Sequence, residues 1–355
     1  MARCTQLAAL LVFTALAHAQ TEAYRFAVVG HIRGGPGNGN IPTEKLERLT
    51  DELRSLELDF VVLTGDLVWG DIYPDGEVDG AAIRRDWEAL DKLLERVGAP
   101  IHRAPGNHDV WDPTTRDIWL ERYGPLHRTF EHRGSQFVLL NSCWTPTGAT
   151  GRTPGMYIRG APLPSDQLEF LRTTLEGARD ASHVFVLMHH MLWWEDDAPW
   201  WREAHPLLRT APVRSVIAGD MGPFKFSRLE RDGIEYVQST IDYTDRPPLV
   251  MLRNREESRG LLAQLDNYLV VHVDGPRVRH ELRVIEAFES DTYSPQVWRE
   301  IYEYDKGSLS RRVFNRVNTP ERAMTWLVRV GLGAAAAGSA LTALVIWMLR
   351  RRRSA

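Results

Sequence analysis

The stretch Arg103-Ala104-Pro105-Gly106-Asn107-His108-Asp109 follows an apolar, strand-like segment and reads as a turn with several polar side chains. Asn107 offers an amide oxygen, which is a ligand for hard or borderline metal ions. His108 beside it offers an imidazole, which can transfer a proton. Turn chemistry alone also accounts for such a motif, so its meaning depends on the rest of the chain.

Length and composition restrict the possible classes of protein. The 355 residues are enough for one large domain or two ordinary ones. The formal net charge is -4 and no basic stripe stands out, so nucleic acid is not expected as a partner. Of the two cysteines, Cys4 lies in a segment that we expect to be removed. Cys143 then has no partner for an internal disulfide or a thiolate zinc site, and a small core residue is its simplest interpretation.

The N-terminal end has the pattern of a secretory signal peptide over residues 1–19. Arg3 gives a positive start, Leu7 to Leu16 form an apolar run, and Ala17-His18-Ala19 give a small-x-small cleavage pattern. An N-terminal membrane anchor is the alternative, but the apolar run is short for a span. We therefore expect the chain to be exported.

The C-terminal end has the pattern of a membrane anchor. Val330 to Leu349 are twenty residues without a charge, and at about 1.5 Å per residue they span the roughly 30 Å core of a bilayer. Arg350 to Arg353 follow, and basic residues stay on the cytoplasmic side. This pattern predicts a transmembrane helix over 326–349, a basic cytoplasmic tail over 350–355 and a main domain outside the cytoplasm, in the cell envelope. A cleaved sorting signal is the alternative.

The middle of the chain alternates strand-like and helix-like segments. The predicted strands are 26–29, 59–63, 137–140, 183–188, 213–218 and 234–238, and the predicted helices are 43–56, 83–97 and 167–175. Tyr268 to Asp274 and Val278 to Val284 are joined at Asp274-Gly275, which indicates a hairpin. The sequence therefore predicts a mixed α/β domain. Residues 286–325 are polar and charged, and we expect a juxtamembrane stalk there.

Polar side chains collect where the predicted strands end, which is where an open α/β sheet places its ligands. These side chains are His31, Arg33, Asp66, Asn107, His108, His189, His190 and Asp220. Carboxylate, amide and imidazole groups together make a plausible set of N and O ligands for Zn, Mn or Fe.

Four short motifs occur in an order that resembles the calcineurin-like metallophosphoesterases, a family that includes purple acid phosphatases and cyclic-nucleotide phosphodiesterases. The motifs are Gly65-Asp66, Gly106-Asn107-His108-Asp109, Met188-His189-His190 and Gly219-Asp220-Met221-Gly222. The resemblance covers about residues 24–285. It implies a four-layer α/β/β/α sandwich with two metal ions between the sheets.

Two of the family's motifs are altered in this chain. The family opens with Asp-x-His after its first strand, where this chain has His31 and Arg33. The family closes with Gly-His-x-His, where Asp220 takes the first histidine position and Gly222 the second. Three of the altered positions, His31, Arg33 and Gly222, map to the same metal site of the family.

The resemblance implies that one metal site is broken and the other is complete. The broken site maps to His31, Arg33, Asp66 and Gly222, and neither arginine nor glycine offers a side-chain ligand to a cation. The complete site maps to Asp66, Asn107, His189 and Asp220.

We therefore hypothesise one divalent ion, with the Arg33 guanidinium where the second ion would sit. Guanidinium is a fixed cation that binds phosphate oxygens in pairs. His31 remains a candidate ligand, and His190 is assigned to structure or substrate binding. An ion pair between Arg33 and Asp220 in a metal-free pocket is the alternative.

The resemblance implies hydrolysis of a phosphate mono- or diester by attack of metal-bound water. His108 would protonate the leaving oxygen and be held by a carboxylate such as Asp66. The alternative is a degenerate domain that binds a phosphorylated ligand or a protein partner without turnover. The sequence indicates neither the substrate nor the oligomeric state.

Asp109 and a group of tryptophans are the remaining features of note. Asp109 is expected to be a local hydrogen-bond acceptor. Trp193, Trp194, Trp200 and Trp201 crowd the segment after His190, where they line a substrate entrance, contact lipid or pack against the domain.

Overall fold

The computed structural model describes residues 22–35, 40–71, 77–143, 162–220, 225–241, 250–255, 258–263 and 266–285. The predicted signal peptide, stalk, membrane helix and basic tail lie outside these ranges, as does Gly222 of the closing motif. Among the described residues, no helix combines the length and the apolar character that a membrane span requires.

The described residues form thirteen strands and six α-helices. The strands are β1 Tyr24–Val29, β2 Phe60–Thr64, β3 Ile101–Ala104, β4 Arg128–His132, β5 Ser135–Leu139, β6 His183–Met188, β7 Val213–Ala218, β8 Phe226–Arg231, β9 Ile234–Ser239, β10 Val250–Arg255, β11 Ser258–Ala263, β12 Asn267–Asp274 and β13 Arg277–Val284. The helices are α1 Thr43–Ser55, α2 Gly80–Leu94, α3 Pro113–Tyr123, α4 Ser165–Gly177, α5 Pro199–Glu203 and α6 His205–Leu208. A 3-10 turn, Glu95–Val97, follows α2.

The strands of the described region form two mixed sheets. The first has the order β13-β12-β1-β2-β3, in which β1, β2 and β3 run parallel and β12 and β13 form the predicted hairpin. The second has the order β10-β11-β8-β9-β7-β6-β5-β4, with a parallel centre of β5, β6, β7 and β9. The carboxyl ends of the parallel strands bear the turns that contain the polar motifs.

The apolar residues of β1 show how the layers pack. Side chains alternate between the two faces of a strand. Phe26 and Val28 therefore enter the core between the sheets, while Ala27 and Val29 enter the core beneath the helices. Both faces of β1 are covered, which explains why the strand reads as a continuous apolar run.

Phenylalanine rings hold the two sheets against each other. Phe26 and Phe60 of the first sheet stack with ring centroids 5.0 Å apart. Phe137 and Phe185 of the second sheet stack at the same 5.0 Å distance, and Phe26 meets Phe137 edge-on at 5.1 Å. These contacts set the separation of the sheets and hence of the turns at their ends.

Helices cover the outer face of each sheet. Leu46 and Leu53 of α1 and Trp87 of α2 pack on the first sheet. Leu171 and Leu175 of α4 pack on the second. The described part of the chain is thus an α/β sandwich of two mixed sheets with helices outside, in line with the mixed α/β domain that the sequence predicts.

The tryptophans after His190 belong to the outer core of the second sheet. Trp193, Trp194 and Trp200 are buried, and Trp193 lies 5.3 Å from the ring of Tyr236. Packing against the domain is therefore the interpretation that the structure supports, and lining of a substrate entrance or contact with lipid is not.

Several described elements were not predicted from the strand and helix patterns, namely α3, α5, α6, β4, β8, β10 and β11. Helix α3 is capped by Asp112, whose side chain accepts a hydrogen bond from the Thr115 N–H, while the Thr115 side chain accepts one from the Asp112 N–H in a capping box. Strand β4 is short and only half-buried, so its apolar signal is weak.

Gly65 provides a testable link between the fold and the site. Its φ is +85°, and a Cβ there would lie 2.5 Å from the backbone nitrogen of Gly106. Gly98 has a similar φ of +72°, but a Cβ there would meet nothing within 4 Å. Gly98→Ala should therefore lower the free energy of unfolding by the strain alone, about 1 kcal/mol. Gly65→Ala should cost about 1–3 kcal/mol more because of overpacking.

Urea unfolding of both variants checks this prediction. Equal losses of unfolding free energy in Gly65→Ala and Gly98→Ala would show that the turns at Gly65 and Gly106 do not pack as closely as described.

Candidate metal centre and active site

The Asp66 carboxylate lies between two groups of side chains. Asp66 follows β2 with φ +54° and is buried. Its Oδ1 lies 3.3 Å from Nε2 of His189, and its Oδ2 lies 3.1 Å from Nε of Arg33. The opening turn is tied to it, since the Arg33 N–H donates to the Asp66 carbonyl oxygen at 3.0 Å.

The four ligands expected for the complete site lie together around Nε2 of His189. This atom is 3.1 Å from Asn107 Oδ1, 3.3 Å from Asp66 Oδ1 and 3.6 Å from Asp220 Oδ1. The ends of β6 and β7 are joined here, because the Asp220 N–H donates to the His189 carbonyl oxygen at 2.8 Å. The structure thus brings side chains from four strand ends to one point.

His190 joins the same group. Its Nε2 lies 2.9 Å from Asn107 Oδ1. His189, His190 and Asp220 each offer a ligand atom, and these atoms lie within 4.8 Å of one another. From the sequence, His190 is expected to serve structure or substrate binding, and the structure adds it as a candidate ligand. We call Asp66, Asn107, His189, His190 and Asp220 the ligand cluster.

Backbone carbonyls fix the tautomers of both histidines. His189 Nδ1 lies 2.9 Å from the Thr64 carbonyl oxygen, and His190 Nδ1 lies 2.8 Å from the Ser142 carbonyl oxygen. A carbonyl only accepts, so each Nδ1 carries a proton, and in the neutral ring Nε2 is then an acceptor.

Two such acceptor nitrogens face the same amide oxygen of Asn107, together with two carboxylates. A cation between these atoms removes their repulsion, and imidazole, amide and carboxylate donors suit Zn, Mn or Fe. The residues present therefore fit a divalent metal ion.

The electrostatics of the two histidines agree with this arrangement. Burial and the neighbouring His189 lower the pKa of His190 to about 3, which keeps its Nε2 free of a proton. Burial also opposes the charge on His189, but the carboxylates of Asp66 and Asp220 outweigh it and raise its pKa. The site thus attracts a positive charge at His189 Nε2, either a proton or a metal ion.

On the other side of Asp66, an arginine contacts the carboxylate. Arg33 contacts Asp66 Oδ2, donates from Nη1 to the Gly34 carbonyl oxygen at 3.0 Å, and has Cζ 4.9 Å from the Trp69 ring centroid. Its carboxylate partner is thus Asp66, whereas the sequence suggested Asp220 as the alternative partner. Arg33 thus places a fixed positive charge beside Asp66 Oδ2.

His31 lies beside Arg33 but is held as a neutral ring. Its Nδ1 is 2.9 Å from the Ile241 carbonyl oxygen, and its Nε2 is 3.4 Å from Asp66 Oδ2. Burial and then the charge of Arg33 lower the pKa of His31 to about 3. His31 is close enough to Asp66 to contribute to the centre, but on the arginine side of the carboxylate.

The orientation of His108 differs from the expectation. Its Nδ1 lies 2.8 Å from the Trp69 carbonyl oxygen, and its Nε2 is 3.9 Å from Asp66 Oδ2, which is beyond hydrogen-bond distance. A backbone carbonyl, rather than the Asp66 carboxylate, therefore holds the ring. Sequence periodicity gives no signal for this contact, because it depends on the turn after β2.

The environment of His108 disfavours its charged form. Burial lowers its pKa to about 4, because it outweighs the opposing charge of Asp66, and Arg33 adds a smaller lowering. A phosphate dianion beside the ring would raise this pKa, since an opposite charge favours the protonated form.

Asp109 is the local acceptor that the sequence suggested. It accepts backbone hydrogen bonds from Leu67 at 2.8 Å, Val68 at 3.2 Å and Gly106 at 2.8 Å. It thereby joins the turns after β2 and β3, which bear Asp66 and Asn107. Burial and the nearby charge of Asp66 raise its pKa to about 7 despite these three donors.

Solved structures with a similar fold support the assignment of the architecture. A purple acid phosphatase from yellow lupin seeds (Lupinus luteus) has a TM-score of 0.51 and 11% identity, and the match covers 76% of this chain and 53% of that one. This chain therefore matches about half the length of the plant enzyme. A Plasmodium protein, described as GAP50, the anchor in the inner membrane complex, has a TM-score of 0.51 and 13% identity, covering 75% and 86%.

A dimetal phosphatase from Danio rerio has 14% identity and a TM-score of 0.46, covering 74% of this chain and 99% of that one. A search of curated protein sequences gives no match. The family model described as calcineurin-like phosphoesterase matches residues 24–223, which is more than half of the chain. The chain therefore belongs to the calcineurin-like phosphoesterase family.

Proposed function

We propose that this chain is a phosphoester hydrolase that uses one divalent metal ion and the Arg33 guanidinium in place of a second. The division of the Asp66 carboxylate carries this proposal, because Oδ1 faces the ligand cluster while Oδ2 faces Arg33 at 3.1 Å. The family's members are generally metal-dependent phosphoester hydrolases, which supports the reaction class. Mn, Zn and Fe are all compatible with the donors.

The chemistry divides between the ion and the protein. When bound, a divalent ion supplies positive charge to phosphate oxygens and acidifies water. Arg33 binds and orients the phosphate, because its planar fork of N–H donors matches pairs of phosphate oxygens. Its contact with Asp66 keeps the guanidinium beside the ligand cluster.

His108 moves the proton. Trp69 holds Nδ1, so Nε2 is the atom free to exchange a proton with the leaving oxygen. The low pKa of the free site makes His108 neutral at pH 7, and the incoming phosphate charge favours its protonation. The ring is thus charged mainly when substrate is present.

The location of the protein is a separate part of the proposal. The pattern of residues 1–19 supports export, and the uncharged run Val330 to Leu349 followed by Arg350 to Arg353 supports a membrane anchor. The phosphoesterase domain would then lie outside the cytoplasm, tethered by residues 286–325. Its substrate would be a phosphate mono- or diester that is accessible there.

A binding domain without turnover is the second candidate. Arg33 in place of a metal ligand is the observation that favours it, since loss of one site weakens a two-metal mechanism. The fold does not dictate catalysis, and one fold neighbour is described as an anchor. In that case the same cluster would hold a phosphorylated ligand or protein partner.

Hydrolysis assays distinguish the two candidates. With Mn²⁺, Zn²⁺ or Fe²⁺ added, the chain should hydrolyse p-nitrophenyl phosphate or its bis-ester, and His189→Ala should abolish the activity because it removes the centre of the ligand cluster. His272→Ala is a control histidine, paired with Glu281 at 2.9 Å on the hairpin. No turnover of either ester with any of the three metals would favour the binding domain.

Replacement of His108 tests the proton transfer. His108→Ala should lower turnover at least about 100-fold, the usual scale of general acid–base catalysis. The loss should be greater for phenyl phosphate than for p-nitrophenyl phosphate, because the poorer leaving group needs the proton more. Steady-state kinetics on both esters measure this, and unchanged turnover would remove His108 from the mechanism.

A further inference from the structure

Trp69 touches both of the side chains to which the proposed function assigns phosphate binding and proton transfer. Its indole lies under the Arg33 guanidinium, with Cζ 4.9 Å from the ring centroid. The same ring lies 4.8 Å from the imidazole of His108, tilted by 44°. Trp69 is half-buried, whereas the residues on either side of it, Val68 and Gly70, are buried.

The backbone at Trp69 is held independently of its ring. The Val68 N–H donates to Asp109 Oδ1 at 3.2 Å, and the Gly70 carbonyl oxygen accepts from Trp111 Nε1 at 2.7 Å. Gly70 has φ +66°, and a Cβ there would lie 1.8 Å from the His108 carbonyl oxygen, so the turn is tightly packed. Substitutions of the Trp69 ring should therefore leave its carbonyl in contact with His108 Nδ1.

The ring then has a role of its own. A guanidinium on a long, flexible stem must be held in one orientation before it can bind phosphate oxygens in pairs, and a cation–π contact supplies that restraint. Asp66 holds one edge of the guanidinium through Nε, and the indole lies against the guanidinium at Cζ. The indole also packs on the imidazole that exchanges the proton.

We propose that Trp69 is a positioning residue that aligns Arg33 for phosphate binding and His108 for proton transfer. This inference rests on the proposed function, since it deepens the roles assigned to those two side chains. It also explains how a single metal ion suffices, because the aligned guanidinium provides directed hydrogen bonds as well as charge. The ligand that reports on it is inorganic phosphate or a phosphate monoester.

Phosphate binding to the full chain, loaded with one equivalent of metal, tests the alignment of Arg33. Isothermal titration with inorganic phosphate should show an about 10-fold weaker Kd for Trp69→Leu, from loss of the cation–π contact. Trp69→Met is the second variant, since a flexible side chain fills the space without a ring. Trp69→Phe should retain affinity within about 3-fold, because a ring face remains.

Trp201 offers a matched control. It is also half-buried and lies under an arginine, with Arg231 Cζ 4.5 Å from its ring, but it belongs to α5 and packs on Tyr236. Trp201→Leu should leave phosphate binding unchanged.

A double-mutant cycle with Arg33→Met separates positioning of Arg33 from a general disturbance of the fold around Trp69. If the ring acts through Arg33, Trp69→Leu should weaken phosphate binding in the wild-type background and have little further effect on it in the Arg33→Met background.

Hydrolysis tests the alignment of His108. Trp69→Leu should reduce kcat more on phenyl phosphate than on p-nitrophenyl phosphate, as expected when His108 is misaligned. A merely structural role would affect both esters alike.

The outcomes also separate this inference from the proposed function. Wild-type affinity in both Trp69→Leu and Trp69→Met, or additive losses in the cycle, would overturn the positioning role while leaving the hydrolase proposal intact. A wild-type chain that binds phosphate without turnover would refute the hydrolase proposal, and the binding cycle would still report on Trp69.

Discussion

The structure of the site depends on one buried carboxylate, that of Asp66, which contacts both the His189 imidazole and the Arg33 guanidinium. Burial alone raises the pKa of Asp66, but His189, His108 and Arg33 around it hold the pKa well below the usual range. An ionised carboxylate at this depth is stable only when it is paired and hydrogen-bonded. His189 provides that pairing at Oδ1 and Arg33 at Oδ2, so a change on either side of Asp66 alters the charge balance of the other.

The fold makes this arrangement possible through its parallel strands. Asp66 and Asn107 follow β2 and β3 of one sheet, and His189 and Asp220 follow β6 and β7 of the other. The phenylalanine core between the sheets sets the distance between these two pairs. Glycines at the turns then let the chain segments approach closely, as at Gly65 against Gly106. The ligand cluster is therefore a product of sheet packing rather than of any single loop.

Much of this could be predicted from sequence, because strands covered on both faces produce apolar runs that end abruptly at polar turns. Strand β6, with only buried residues from His183 to Met188, was predicted with its observed bounds. The gathering of Asp66, Asn107, His189 and Asp220 also follows from their places at strand ends. The support of His108 by the Trp69 carbonyl could not be predicted, since backbone contacts across turns leave no residue pattern. The inclusion of His190 among the candidate ligands depends on the Ser142 carbonyl, which fixes its ring from a distant turn.

The proposed function requires one metal ion and one guanidinium that share Asp66. The most direct test is the metal content of purified chain after it has been stripped, reconstituted with Mn²⁺, Zn²⁺ or Fe²⁺ and freed of excess ion, measured by elemental analysis against protein concentration. We expect a stoichiometry near one ion per chain, which falls sharply in His189→Ala and is unaffected in His272→Ala. A value near two ions per chain would contradict it, because Arg33 would then not occupy the place of the second ion.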